Sequence, residues 1–187
     1  MRFANLTSMD PHTILHFWFN ELTPKQHFSK DAALDEAIHT RFGATLEAAA
    51  RCELFAWRAA PEGRLAEVLV LDQFSRNVYR DTARAFAQDA LALALAQELV
   101  ANGHNLSLPL AQRSFAYMPY MHSESALVHT QAVALFSQPG MEDSLRFELR
   151  HQDIINRFGR YPHRNTLLGR TSTIEELAFL SEPGSGF

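Results

Sequence analysis

Apolar residues recur along this chain at helical spacing almost without a break. From about Asp31 to Arg51, Leu34, Ile38, Phe42 and Leu46 return every four residues, which puts them on one face of a long helix with Gly43 as a site for a bend. Start and stop signals bracket the other segments. Asp10 before Pro11 predicts a helix through ILHFWF, and Thr23, Pro24 and Gln26 have the order of a second start closed by a capping box. A further helix follows Pro61. Thr82 is a cap candidate for an Ala-rich stretch, 83–102, that Gly103 would terminate. Pro109 opens a shorter helix that Pro119 is expected to end, and Ser123 is placed to cap the next one, to about Ser137. A helix over 142–158 leads into a turn-rich stretch, after which Ser172 and Glu175 have the spacing of a capping box for a last helix to about Leu180. No strand pattern competes, since the run VLVL sits inside helical spacing on both sides. The expectation is a single all-α domain over residues 1–187, about eight helices packed as antiparallel hairpins.

Composition adds limits. The 187 residues, 47% hydrophobic and 20% charged, suit an ordinary soluble globular protein. One cysteine, Cys52, permits no internal disulfide and no multi-cysteine metal site, which makes a reducing cytoplasm the simplest location. The N-terminus, MRFANLTSMDPHTIL, lacks the apolar core and cleavage site of a secretory signal. LAEVLVL and ALALALA are far shorter than the ~20 residues a membrane span needs. A net charge of -4 argues against a general nucleic-acid binder. Nothing in the pattern calls for a metal or a cofactor.

Polar groups on apolar faces mark the candidate chemistry. In LAEVLVLDQFSRNVYR, Leu65, Leu69, Asp72 and Arg76 follow one another by four, three and four residues, so a carboxylate and a guanidinium extend an apolar stripe in the order favourable for an ion pair. Such groups need partners, supplied either by a structural network between helices or by a ligand site. In YMPYMHSE, His122, Ser123 and Glu124 fall where a helix should begin. His122 is read either as a cap and packing group or as an acid, base or ligand donor. Phe147, His151, Ile154 and Phe158 form a stripe in which His151 reads as a satisfied core residue, while His12, His39 and His129 have no supporting constellation and read as surface or packing groups.

The stretch FGRYPHRNTLLGR, 158–170, sets Arg160, His163, Arg164 and Arg170 in a segment built to turn. Between Arg146 and Arg170 six arginines face only Glu148 and Asp153. Arginine forks beside free backbone N–H groups suit a phosphate or carboxylate, although Asp72, Glu124, Asp153 or Glu175 and Glu176 could neutralise them internally.

Five runs, FWF at 17–19, LDQFSRN at 71–77, AFAQD at 85–89, YMPYMHSE at 117–124 and FGRYPHRNTLLGRTSTIEE at 158–176, resemble in order the signatures of a bacterial family catalogued as domain of unknown function 924, over about residues 10–187. The resemblance implies an all-helical fold similar to tetratricopeptide-like helical arrays and no established activity. Ser75 departs from the proline usual there, His27 from an aromatic and Arg51-Cys52 from a glycine neighbourhood; none removes a polar member of the motifs.

Three readings follow. The first is a polar cleft for a small anionic ligand, with Arg160, Arg164 and Arg170 as clamps, Arg76 and Asn77 orienting it, Asn165 alongside and Asp72 holding an arginine. The second is a metal-independent hydrolase or transferase with His122 or His163 as acid and base and Glu124 orienting the ring. The third is a helical interaction module, in which the polar residues are architecture and the partner is another protein.

Overall fold

Asp10 opens the first helix, α1 (Pro11–His16), by accepting the His12 N–H at 3.1 Å, with Pro11 in the first helical position. The structure is a computed structural model described for residues 10–185; the reading of the N-terminal stretch falls mostly on residues 1–9, outside the described residues. A π-helical turn, Phe17–Glu21, extends α1 and buries Phe17 and Trp18. Thr23 and Gln26 bond as expected, the Gln26 side chain accepting the Thr23 N–H at 2.9 Å, but they start only a 3₁₀ turn, Gln26–Phe28. Asp31 then caps α2 (Ala32–Ala50), whose predicted face of Leu34, Ile38, Phe42 and Leu46 is buried throughout. The helix runs on through Gly43.

Helix α3 (Pro61–Leu69) is the hub, packing against α1, α5 (Asp89–Ala101) and α6 (Leu110–Met121), which is why Leu65, Ala66, Val68 and Leu69 are all fully buried. It leads without interruption into a second π-helical turn, Val70–Phe74, and the short α4 (Ser75–Val78). The Leu65–Arg76 stripe therefore does not lie on a regular α-helix: one wide turn interposes, and Asp72 sits inside it. Gly63 lies where α3 meets the preceding turn, and a Cβ there would stand 2.0 Å from the Trp57 carbonyl oxygen. Backbone cannot yield as a side-chain tip can, so Gly63→Ala is expected to cost about 2–4 kcal/mol, above the usual overpacking range, measured as a shift of the urea midpoint.

Several predicted boundaries move, each for a local reason. The Ala-rich stretch is broken into a 3₁₀ turn, Ala83–Phe86, and α5, because the Thr82 hydroxyl donates to the Tyr79 carbonyl instead of capping. Pro119 does not end α6. Only two helical residues follow it, and buried Tyr120 and Met121, with the His122 N–H on the Met118 carbonyl at 2.9 Å, hold that last turn. Helix α7 (Ala126–Phe136) starts two residues later than predicted, since the Ser123 hydroxyl accepts the Ser125 N–H in a turn. Helix α8 (Glu142–Phe158) ends at Gly159 in the left-handed conformation, φ 68°. The last capping box is Thr173 with Glu176, which opens α9 (Ile174–Leu180); Ser172 instead accepts a hydrogen bond from Asn165.

Successive helices α5 to α8 pack on one another through short connections, and the core is continuous from α1 to α7 around an aromatic cluster of Phe17, Phe42 and Phe74. Among the described residues every regular element is helical, so the fold is all-α. None of these helices is long and apolar enough to cross a membrane.

Candidate functional site

Asp72 is 1% exposed, and its bonds to His122 and Arg76 tie the wide turn to α6 and α4. One carboxylate oxygen stands 2.8 Å from His122 Nδ1 at the end of α6 and 3.1 Å from Arg76 Nη1; the other accepts from Gln73 at 2.6 Å. Burial works to raise its proton affinity, but the Arg76 charge and then His122 prevail and hold the carboxyl below its usual range. Arg76 in turn reaches Asp89 at 3.1 Å, and Asp89 also accepts from Arg164 Nη1 at 3.1 Å. One acid at the start of α5 is thus shared by guanidiniums from two remote segments.

Arg164 is 6% exposed and packs against two aromatic rings, its guanidinium carbon 4.6 Å from the centroids of both Phe86 and Tyr161. Of its five N–H groups only the one on Asp89 has a protein acceptor, and its Nε is enclosed without one. The other two arginines of the loop fork onto carboxylates, although Arg170 Nε, like that of Arg164, is enclosed without an acceptor. Arg160 grips Glu176 at 2.6 and 2.8 Å and the Thr171 carbonyl at 3.0 Å. Arg170 forks onto Glu124 at 2.7 and 2.9 Å, while the same carboxylate accepts the Tyr161 N–H at 2.8 Å.

These groups surround a cleft of about 350 Å³ between the α5 start, the α6 end and the arginine loop. Its polar side is Asp89, His122, Ser123, Glu124 and Arg164; Phe86, Ala90, Leu93, Pro119 and Leu168 make the other. The Asp72 bond holds the proton on His122 Nδ1 and leaves Nε2 as the basic nitrogen. Burial and then the Arg76 charge outweigh Asp72 and depress the imidazole's proton affinity, so the ring is neutral near pH 7.

Asp72, Arg76, His122 and Arg164 therefore form one connected network, and Glu124 with Arg170 adjoins it. The remaining site candidates lie apart. Asn77 donates to Asp35 at 2.8 Å and Asn165 to Ser172 at 3.0 Å. His163 packs on Tyr161 outside the cleft, and burial followed by Arg164 lowers its pKa to about 4.

Residues 14–184 match the family described as bacterial protein of unknown function, DUF924. The chain belongs to that family. A solved structure, that of the protein of unknown function ATU0120 from Agrobacterium tumefaciens, is 40% identical, covers 91% of this chain and 96% of its own, and superposes with a TM-score of 0.87. Among curated proteins none matches.

This DUF924 chain also holds a buried network that sequence reading passed over. His129, taken as a surface or packing group, is fully buried beside equally buried Glu148, with Nδ1 2.6 Å from the carboxylate and Nε2 2.9 Å from the Ser123 carbonyl. The Tyr161 hydroxyl donates to the Met121 carbonyl at 2.5 Å and stands 3.2 Å from the same imidazole. Together they pin the turn that presents His122 to the cleft. A signal was there: His129, Ala132 and Phe136, at three and four, are the buried face of α7. Asp89 was missed as well, although it closes the AFAQD run. Among the described residues no three His, Cys, Asp or Glu side chains converge as a metal ion would require.

Proposed function

We propose that the cleft binds a small anionic ligand, with Arg164 as its anion contact and His122 Nε2 beside it. The observation that carries this is Arg164 itself, a nearly buried guanidinium with one acceptor and two aromatic rings packed against it. A guanidinium so packed meets partners at its edge, where a planar carboxylate brings two oxygens into register. Arg160 and Arg170 are spent on Glu176 and Glu124, so they shape the loop; Asp72, Arg76 and Asp89 position His122 and Arg164. Nothing recommends a membrane or nucleic acid as partner, and the lone cysteine suits a cytoplasmic location for a single-domain protein.

Calorimetric titration with acetate tests this. Arg164→Gln is expected to weaken binding at least tenfold, about 1.4 kcal/mol, with an unchanged far-UV dichroism spectrum; equal affinity in the two proteins would refute the assignment. Affinity is also expected to rise as pH falls from 8 to 6. An anion beside His122 favours the imidazolium that the free protein disfavours, so binding draws in a proton, and His122→Gln should flatten the slope.

The Asp72–His122 pair favours a second reading. A carboxylate on Nδ1 with Nε2 turned to a cleft is the arrangement of a general base, which would make the protein a metal-independent hydrolase or transferase. Turnover of an ester and phosphoester panel that disappears in His122→Gln would support it. An interaction module built on the same polar network is the reading left if neither ligand nor turnover is found.

A further inference from the structure

The cleft is lined by apolar as well as polar side chains, and a bare anion would use only the polar ones. At about 350 Å³ it holds on the order of a dozen waters at roughly 30 Å³ each, several times what a carboxylate group needs. Besides its polar residues the cleft is lined by Phe86, Ala87, Ala90, Leu93, Pro119 and Leu168. Helix α5 supplies both halves: Asp89 turns to the arginines, and Leu93, one turn on and about 6 Å along the axis, belongs to the apolar wall. Leu168 stands at the same cleft 37% exposed, an apolar side chain in a loop otherwise rich in charge.

Resting on the anion site proposed above, we infer that the ligand is an aliphatic monocarboxylate, its head on the edge of Arg164 and its short chain along Phe86, Ala90 and Leu93. The neutral balance of the polar side favours one negative charge over several: Asp72, Asp89 and Glu124 already answer Arg76, Arg164 and Arg170. A dianion would bring a second charge that meets only the apolar wall or the Glu124 carboxylate. A polar tail would lose hydration there and gain no hydrogen bond.

A homologous series from acetate through butanoate and hexanoate to octanoate, titrated into the full chain by calorimetry, reads the wall directly. Affinity is expected to rise about fourfold per added methylene until the cleft is full, as burial of about 0.8 kcal/mol per CH₂ requires, and then to level off. Ala90→Phe should bring the plateau to a shorter acid, and Arg164→Gln should weaken every member by a similar factor. Acetate binding that depends on Arg164 with no gain along the series overturns this inference and leaves the anion site standing. A gain that survives Arg164→Gln intact, or no binding by any member, overturns both. Tighter binding of succinate than of butanoate overturns the single-charge, apolar-tail assignment alone.

Discussion

Asp72→Ala is expected to remove about 3–5 kcal/mol of stability, and with it roughly 10 °C or more of melting temperature for a chain of this size. The carboxylate is buried and serves three donors on three side chains: His122 Nδ1, Arg76 Nη1 and Gln73 Nε2. Alanine leaves the guanidinium with Asp89 and the backbone carbonyl of residue 72, leaves the Gln73 amide with only the weak Met118 sulfur acceptor, and takes the acceptor from the His122 Nδ1 proton in a largely buried region. The cost is that of orphaned partners, which exceeds whatever the pairs contribute over apolar packing. Asp72→Asn keeps an acceptor oxygen and loses the charge, so it should fall between wild type and alanine. Urea titrations at pH 7 measure all three proteins. A loss below about 1 kcal/mol for the alanine variant would mean that the network is not holding α6 to the wide turn.

Acid is expected to unfold the protein well before its carboxylates titrate. Burial is the first cause for each of two histidines held neutral in the fold: His151, with a pKa lowered to about 3, and His163, lowered to about 4. In the unfolded chain both would protonate near 6.5. The unfolded state therefore binds more protons as pH falls below 6.5, and stability drops with falling pH, by up to about 1.4 kcal/mol per unit for each group. His163 stops contributing near pH 4 and His151 near pH 3. Because His163 is only partly enclosed, the combined loss between pH 7 and 4 should be about 4–6 kcal/mol rather than the full sum. His122 is shifted in the same direction and adds to the decline. Glu148 opposes it, since burial raises its proton affinity and that favours the folded state in acid. Below about pH 4.5 Asp72, Glu124 and Glu176, all held low by their arginines against the effect of burial, extend the loss. Melting temperatures at pH 7, 6, 5 and 4 should fall steadily; a flat profile from 7 to 5 would show that these imidazoles are not held neutral. His151→Leu should shallow the slope.

Helices were legible because their faces and caps are local. Leu34, Ile38, Phe42 and Leu46 announce themselves by spacing, and Asp10 by the proline that follows it; that Asp31 caps α2 emerges only from the structure. The Asp72 and Arg76 pair was readable for the same reason, being one turn apart. Partners across the fold were not. Glu148 meets His129 from another helix, 19 residues on, and Arg164 meets Asp89 across 75. The charge of the arginine loop looked available to a ligand because its acids, Glu124 and Glu176, belong to elements whose placement no periodicity reveals. The shift of the last cap by one residue shows how fine the margin is. It turns Glu176 inward onto Arg160 and leaves Glu175 outside on Arg157. Asp89 stayed hidden because an Ala-rich stretch reads as one helix, whereas Thr82 bonds backward and the chain breaks at Phe86.

In the wide turn at Val70–Phe74 the backbone accommodates one residue more than a regular coil of the same reach. Wind the same residues as a regular α-helix and everything after them would rotate by about 100° relative to Leu65 and Leu69. Arg76 would swing off Asp89, with no side chain altered. The position of this site is thus written in the pitch of one turn as much as in the identities of its residues.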